Sequence, residues 1–379
     1  MTRHHEVLSK GELAALYAGA DRGESAHRDL LARLGPLRRP FSAFLRAERK
    51  LDPLPPAELV ALFDGCADPR RGAADLARRL SLLSPGNGQV GFRQVNQLVD
   101  HCRALVRDVL APRWGERSLL PHDHAFGSGG DFYKTGHATT AASVVVAPAV
   151  RMCKTGTTNV TSEHGSVHAV RAFGYDASAL DVGELNRRLA DWGFAFIPLG
   201  ALGLPYSDAL VAAREKLWAR WVATVAPDRR QVSSDWQAML RGTDIPIDIF
   251  KVVVPNAQPL DPRHHSTGVC HLSLLPYVLG IYLHLGTTGV ILHSFDGIDE
   301  LSTASSDPSP HVPNNLVVQV EADRVTIAEI GPEDLGVRRA ELSEIVQESS
   351  LDREAAGFWR VVTGEERGAR RDFIVTNAA

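Results

Sequence analysis

A chain of 379 residues, 44% apolar and 23% charged, has the composition of a globular protein with room for two or three domains. Its formal charge of −4 argues against a general nucleic-acid binder, which carries a basic face. Cys66, Cys102, Cys153 and Cys270 lie far apart with no CxxC pair, which excludes a zinc ribbon or a disulfide framework. No apolar run is long enough for a bilayer, so the expectation is a soluble cytoplasmic protein with reduced core thiols.

In chain order, the stretch to about Leu119 reads as helical throughout, with no strand-like alternation. Ser9 and Glu12 form a capping-box pattern before "LAALYAG". "PPAELVALFDG" enters on proline and leaves on glycine. "FRQVNQLVDHCRALVRDVL" sets Val95, Leu98, Val99, Cys102, Leu105 and Val106 on one helical face. From Pro121 the texture changes. "TTAASVVVA" predicts a helix limited by Pro148, and "VRMCK" a buried strand end. "LDVGELNRRLADWG" predicts an amphipathic helix capped by Asp181, with Leu185, Leu189 and Trp192 inward. "FAFIPLG" predicts a strand, "LSLLPYVLGIYLHLG" a helix, "TTGVILHS" a strand and "LVVQVEADRVTIAEI" a hairpin. This alternation indicates an α/β fold: a small helical N-terminal domain and a larger domain whose central, mainly parallel sheet is flanked by helices. The predicted division is 1–119 for the helical domain, completed by about 203–245. Residues 120–202 and 246–379 form the α/β domain. Residues 218–245 look like an extra excursion, and the Pro- and Ser-rich stretch Ser302–Asn315 is a candidate lid.

Three patches carry chemistry. "GSGGDFYKTGHATT" places Gly127, Ser128, Gly129, Gly130 and Asp131 ahead of Thr135, Thr139 and Thr140 at a helix start, where exposed amides favour an anion. Asp131 suits a sugar hydroxyl or, through water, a metal. "KTGTTNVTSEHGSVHAV" sets Lys154 after a strand and Ser166 at another helix start, both suited to phosphate. "LHSFDGIDELS" puts Asp299 and Glu300 just past a strand, where adjacent carboxylates suit Mg²⁺ beside a phosphorylated ligand.

The order of these patches, followed by "GPEDLGV", resembles the anthranilate phosphoribosyltransferase family from about Phe126 to Leu342. The resemblance implies a Mg²⁺-dependent, homodimeric enzyme that binds phosphoribosyl pyrophosphate (PRPP). It places Gly127–Asp131, Thr135, Thr139, Thr140, Lys154 and Ser166 at PRPP, and Thr139, Asp299 and Glu300 at the metal. It also puts Arg214 near the position that meets the acceptor's carboxylate.

The departures fall on the acceptor side. The family's KHGN reads "KTGT", giving Thr155 and Thr157, and other family residues are replaced by His137, His164, His168 and Lys251. The expectation is a phosphoribosyltransferase with a small, aromatic acceptor other than anthranilate, in a specialised pathway, with His137 or His168 as a base near neutral pH. Two rivals stand beside it. "HHSTG" (His264–Gly268) is similar to a nucleoside phosphorylase's phosphate motif, though distant in sequence from the glycine loop. A non-catalytic relative that binds a partner would keep the fold and lose the acceptor residues.

Overall fold

The computed structural model describes residues 5–129, 131, 135–157, 165–178, 181–204, 209–216, 248–257, 260–304, 313–348 and 350–378. Six helices form the amino-terminal part: α1 (Lys10–Ala18), α2 (Arg28–Arg33), α3 (Arg38–Glu48), α4 (Pro56–Asp64), α5 (Ala73–Leu82) and α6 (Phe92–Trp114). The predicted caps are present: Ser9 Oγ accepts from Glu12 N at 3.1 Å, and Ser9 N donates to the Glu12 carboxylate at 2.8 Å. One strand was not legible. β1 (His5–Ser9) precedes α1 and pairs antiparallel with the far edge of the sheet. Five residues with Val7 exposed and Leu8 fully buried give too short an alternation to distinguish from the capping segment that follows.

The other strands are β2 (Asp123–Gly127), β3 (Met152–Gly156), β4 (Phe194–Pro198), β5 (His265–Gly268), β6 (Gly289–Ser294), β7 (Asn315–Val320) and β8 (Arg324–Ile330). They form one sheet in the order β1-β8-β7-β6-β5-β2-β3-β4. The run β6-β5-β2-β3-β4 is parallel, and β6-β7-β8-β1 is antiparallel. From β2 the chain moves outward to β3 and β4, then returns to place β5 on the other side of β2. Such a reversal leaves a crevice at the carboxyl ends of the two strands.

Helices cover both faces. The predicted helices follow their strands as α7 (Ala138–Val146), α8 (Ser166–Ala172) and α9 (Val182–Asp191). Then come α10 (Ile249–Asn256), α11 (Leu275–Leu285), α12 (Leu351–Val362) and α13 (Ala369–Thr376), with a further helical run at 209–216. The main core is continuous from α1–α6 through α10 and α11 to one sheet face, including Cys153, Ala195, Ile291 and Ile327. Smaller clusters join α7, α8, α12 and α13 on the opposite side. All four cysteines are free and buried. No helix among the described residues is long and apolar enough to cross a membrane.

Two further expectations change. Trp192, expected to point inward, is 53% exposed, with the Arg187 and Arg188 guanidinium groups 5.6 and 5.8 Å from its ring. It is the residue that ends α9, so the chain has already left the helical period there. "HHSTG" is distant from the glycine loop only in sequence: it forms β5, directly beside β2, with Gly127 opposite Gly268. Residues 305–312 of the candidate lid and the whole of the excursion 218–245 lie outside the described residues. The two ends of the stretch Ser302–Asn315 are anchored in the core, where Asn315 Nδ2 donates to Ser302 O at 2.9 Å.

Because β1 contributes Leu8 to the main core, Leu8→Ala should cost about 3 kcal/mol, the usual scale for a buried leucine. Urea unfolding measures this, and a loss near zero would show that β1 is not held to the sheet.

Candidate active site

β2 runs into Gly127, Ser128 and Gly129 at the crevice between β2 and β5. Asp299 lies across this turn. A Cβ on Gly127 would sit 2.6 Å from Asp299 Oδ2, and one on Gly268 only 1.7 Å from the Asp299 carbonyl oxygen. Glycine is needed at both places for close approach. Gly129, at φ +64°, uses the left-handed region and donates its N–H to Asp299 Oδ2 at 2.6 Å. Asp299 N in turn donates to Asp131 Oδ1 at 2.8 Å.

Glu300 occupies the start of α7. Thr139 donates to Glu300 Oε1 from Oγ1 at 2.9 Å and from its backbone N at 3.3 Å. Thr135 Oγ1 donates to Oε2 at 3.2 Å. Burial, with the charges of Asp299 and Asp131, pushes the Glu300 carboxyl well above its ordinary range. Lys154, on β3 and 3% exposed, is pushed down to about 8 by burial, opposed by the attraction of Asp299 and Glu300.

The far wall comes from α10 and its neighbours. Lys251 Nζ donates to Gly129 O at 2.8 Å. Arg214 Nε donates to Asp248 Oδ2 at 2.5 Å, and Asp248 Oδ1 also caps α10 by accepting from Phe250 N at 3.0 Å. These groups surround a cavity of about 150 Å³.

The cavity is lined by Gly127, Ser128, Gly129, Asp131, Thr135, His137, Thr139 and Thr140, and by Lys154, Thr155, Thr157, Ser166, Arg214, Lys251, Asp299 and Glu300. The sequence-predicted residues therefore converge, with three exceptions. Gly130 and His164 lie outside the described residues. His168 does not line the cavity: two positions along α8 from Ser166, the helical turn carries it to another side. The expectation of His168 as a base is therefore set aside. "GPEDLGV" also stays away from the cavity, with Glu333 paired to Arg339. Sequence reading missed Gln347, whose amide donates to His137 Nε2 at 2.9 Å. No local motif marks it; a bridge between Thr135 and Val346 brings that segment alongside. It also missed Gly156, where a Cβ would fall 2.7 Å from Ser166 Cβ.

The carboxylates fit Mg²⁺ in a particular way. Burial and the neighbouring charges of Asp299 and Asp131 make ionisation of Glu300 unfavourable, a cost that a cation would offset. Yet no three-ligand metal cluster exists among the described residues. Mg²⁺ is commonly held by one or two carboxylates, with waters and substrate phosphates completing its octahedron.

Comparison with known proteins agrees with this architecture. Residues 237–379 match the family model described as glycosyl transferase family, a/b domain. The anthranilate phosphoribosyltransferase of Aeropyrum pernix is 28% identical over 342 residues, 89% of this chain and 86% of the relative. That of Haloarcula marismortui is 26% identical over 253 residues, and there the match spans 66% of this chain and 65% of the relative. The solved Thermus thermophilus enzyme superposes with a TM-score of 0.57 at 21% identity, covering 88% of this chain and 85% of that one. The Saccharomyces cerevisiae enzyme, solved with PRPP and Mg, gives 0.50 at 16% identity, covering 86% and 87%. The fold and site thus define a glycosyltransferase of the phosphoribosyl-transferring class. Within it, the relatives that this chain resembles over most of its length are anthranilate phosphoribosyltransferases.

A carboxyl whose folded pKa is raised stabilises the fold at low pH and loses that contribution as pH rises through the folded value. Without divalent cations, thermal stability should therefore fall as pH rises from mildly acidic to neutral. Asp299→Asn, which removes the neighbouring charge, should reduce that slope and raise the melting temperature at neutral pH by roughly 2 °C. Thermal unfolding at several pH values in chelator checks this; an Asp299→Asn slope equal to the native one would refute the charge-crowding account.

Proposed function

We propose that the protein transfers 5-phosphoribosyl from PRPP to a small aromatic acceptor other than anthranilate, releasing pyrophosphate. The observation that carries the acceptor part is the state of Arg214. Its guanidinium is buried and ion-paired with Asp248, so its charge is already balanced before any acceptor carboxylate arrives. Beside it stand Thr155, Thr157 and Lys251, groups that differ from those of the resembled family.

The donor side supports PRPP. Gly127–Asp131 would follow the ribose and its phosphates through backbone amides, with Lys154, Ser166 and Thr140 as phosphate contacts. Thr139, Asp299 and Glu300 would hold Mg²⁺, which supplies charge neutralisation for the leaving pyrophosphate. As the C1–oxygen bond of PRPP breaks, the ribose becomes oxocarbenium-like, and the acceptor attacks C1 from the opposite face. The chain's own part is to orient both reactants and to set Lys154 against the negative charge growing on the leaving group. His137 is held by Gln347 at the cavity wall with Nε2 already accepting from the amide, so its part is to orient the acceptor and not to take its proton.

The phosphorylase alternative loses support. Thr267 of "HHSTG" is fully buried and bonded to Asn256 and Tyr282, so the segment is a core strand and no phosphate loop. By the same resemblance we propose a cytoplasmic homodimer in a specialised pathway. Its helical domain, 1–119, would be completed by about 203–245, and the α/β domain would be 120–202 with 246–379.

Calorimetric titration with PRPP tests the donor. Micromolar, Mg²⁺-dependent binding is expected, with at least a tenfold loss in Asp299→Ala/Glu300→Ala. Absence of binding with or without Mg²⁺ would remove the transferase reading. Anthranilate supplied with PRPP and Mg²⁺ should give no measurable pyrophosphate release above the acceptor-free rate; robust turnover would overturn the acceptor proposal. PRPP affinity should also fall as pH rises past about 8, where Lys154 loses its proton, and this fall should vanish in Lys154→Met.

A further inference from the structure

Beneath the acceptor side of the cavity lies a line of buried polar groups, of which the transfer reading uses only Thr155. Thr155, fully buried on β3, borders the cavity. Its Oγ1 is 3.0 Å from His124 Nε2. His124 Nδ1 is 2.8 Å from His265 Nδ1 across the β2–β5 pair. The two ring planes lie within 7° of each other. That nitrogen–nitrogen distance is shorter than the separation of stacked ring faces, so the rings meet edge to edge as a hydrogen bond requires. On the far edge, His265 Nε2 is buried without a hydrogen-bond partner. The ring borders a second cavity of about 30 Å³, lined also by Arg103, Asn256 and Tyr282 and large enough for one water.

Three consecutive polar groups, each a donor on one side and an acceptor on the other, form a directional chain. We propose that Thr155, His124 and His265 are a proton relay from the acceptor side of the active site, through the sheet, to the small cavity beneath it. The proposal rests on the transfer reading above.

The step balances without any oxidant or reductant. As the acceptor's nucleophilic atom bonds to C1 and pyrophosphate departs, the acceptor's proton passes to Thr155 Oγ1. The hydroxyl's own proton moves to His124 Nε2, the His124 Nδ1 proton to His265 Nδ1, and the His265 Nε2 proton to water in the small cavity. Both imidazoles begin and end neutral, in exchanged tautomers. After product leaves, the reverse shift resets the chain and releases the proton to water entering the main cavity. Burial and the nearby Lys154 charge push His265 down to about 3, so the ring passes a proton on and does not store it. Groups facing the pair include Arg103 and Asn256 on the side of the small cavity, the Tyr282 hydroxyl, which donates to His265 O at 3.0 Å, and Asp123 and His264 along a larger cavity that both rings also border.

The test uses the full chain and two readouts. In ¹⁵N-histidine NMR, with His124→Gln and His265→Asn to assign signals, both rings should remain neutral from pH 5 to 8; an imidazolium at either position in that range would overturn the relay. The second readout is pyrophosphate release from PRPP and Mg²⁺ with water as the nucleophile, in H₂O and D₂O. His265→Asn keeps a partner for His124 Nδ1 but removes the exit nitrogen, so a purely structural role would survive it. The expected result is a native solvent isotope effect of 2 or more that falls to near 1, a rate at least tenfold lower, and PRPP affinity unchanged within twofold. Native rate and isotope effect in folded His265→Asn that binds PRPP normally would refute the proposal. Failure of the native chain to bind PRPP would instead remove the donor reading, and the NMR readout would then decide the relay alone.

Discussion

The site depends on one steric constraint: Asp299 must pass where β2 and β5 end side by side. Its carbonyl occupies the place of a Cβ at Gly268, and its carboxylate crowds that of Gly127. The same residue is tied by hydrogen bonds to Gly129 and Asp131. Two strand-end glycines, Gly127 and Gly268, with Gly129 in the turn beyond β2, thus let one acidic segment close over the crevice. Any side chain at Gly268 would lift the Asp299–Glu300 segment away from the glycine loop, and the carboxylates would no longer face the start of α7.

That closeness concentrates charge. Asp131, Asp299 and Glu300 stand within a buried region that also holds Lys154, whose own proton is weakened by burial. Burial disfavours the charged forms of Glu300 and Lys154 alike, and a divalent cation with a polyphosphate would offset both costs together. Such a cost is the usual mark of a place kept for binding and not for stability. Around it, the main core supplies the opposing stability with a continuous apolar cluster from the amino-terminal helices to the sheet.

The two ends of the cavity differ in character. One end is built from backbone amides, hydroxyls and carboxylates. At the other, Arg214 and Lys251 are already engaged, by Asp248 and by the Gly129 carbonyl. An end with its cations occupied selects by shape and hydrogen bonding more than by charge. Thr155 joins this end to the two histidines below, so this wall connects to the interior of the sheet.

Much of this was readable in order along the chain. Capping boxes, helical faces and buried strand runs are local, so Ser9–Glu12, α6 and the β7–β8 hairpin followed from short-range periodicity. The glycine loop and the Asp299–Glu300 pair were legible because each is a contiguous cluster of unusual residue types. What lay beyond the sequence was whatever needed two distant segments to meet. The five residues of β1 have a role only because β8 offers them an edge. His168 fell out of the site because helical rotation, not chain proximity, sets where a side chain points. Gln347 entered it through the bridge that its neighbour Val346 makes to Thr135. "HHSTG", distant in sequence from the glycine loop, is its immediate neighbour, because parallel strands pair across long crossovers. The sequence by itself determined the elements and the chemical groups on offer, since both depend on local interactions. Tertiary structure alone decided which groups share a cavity and which are already paired, because those contacts are made across the fold.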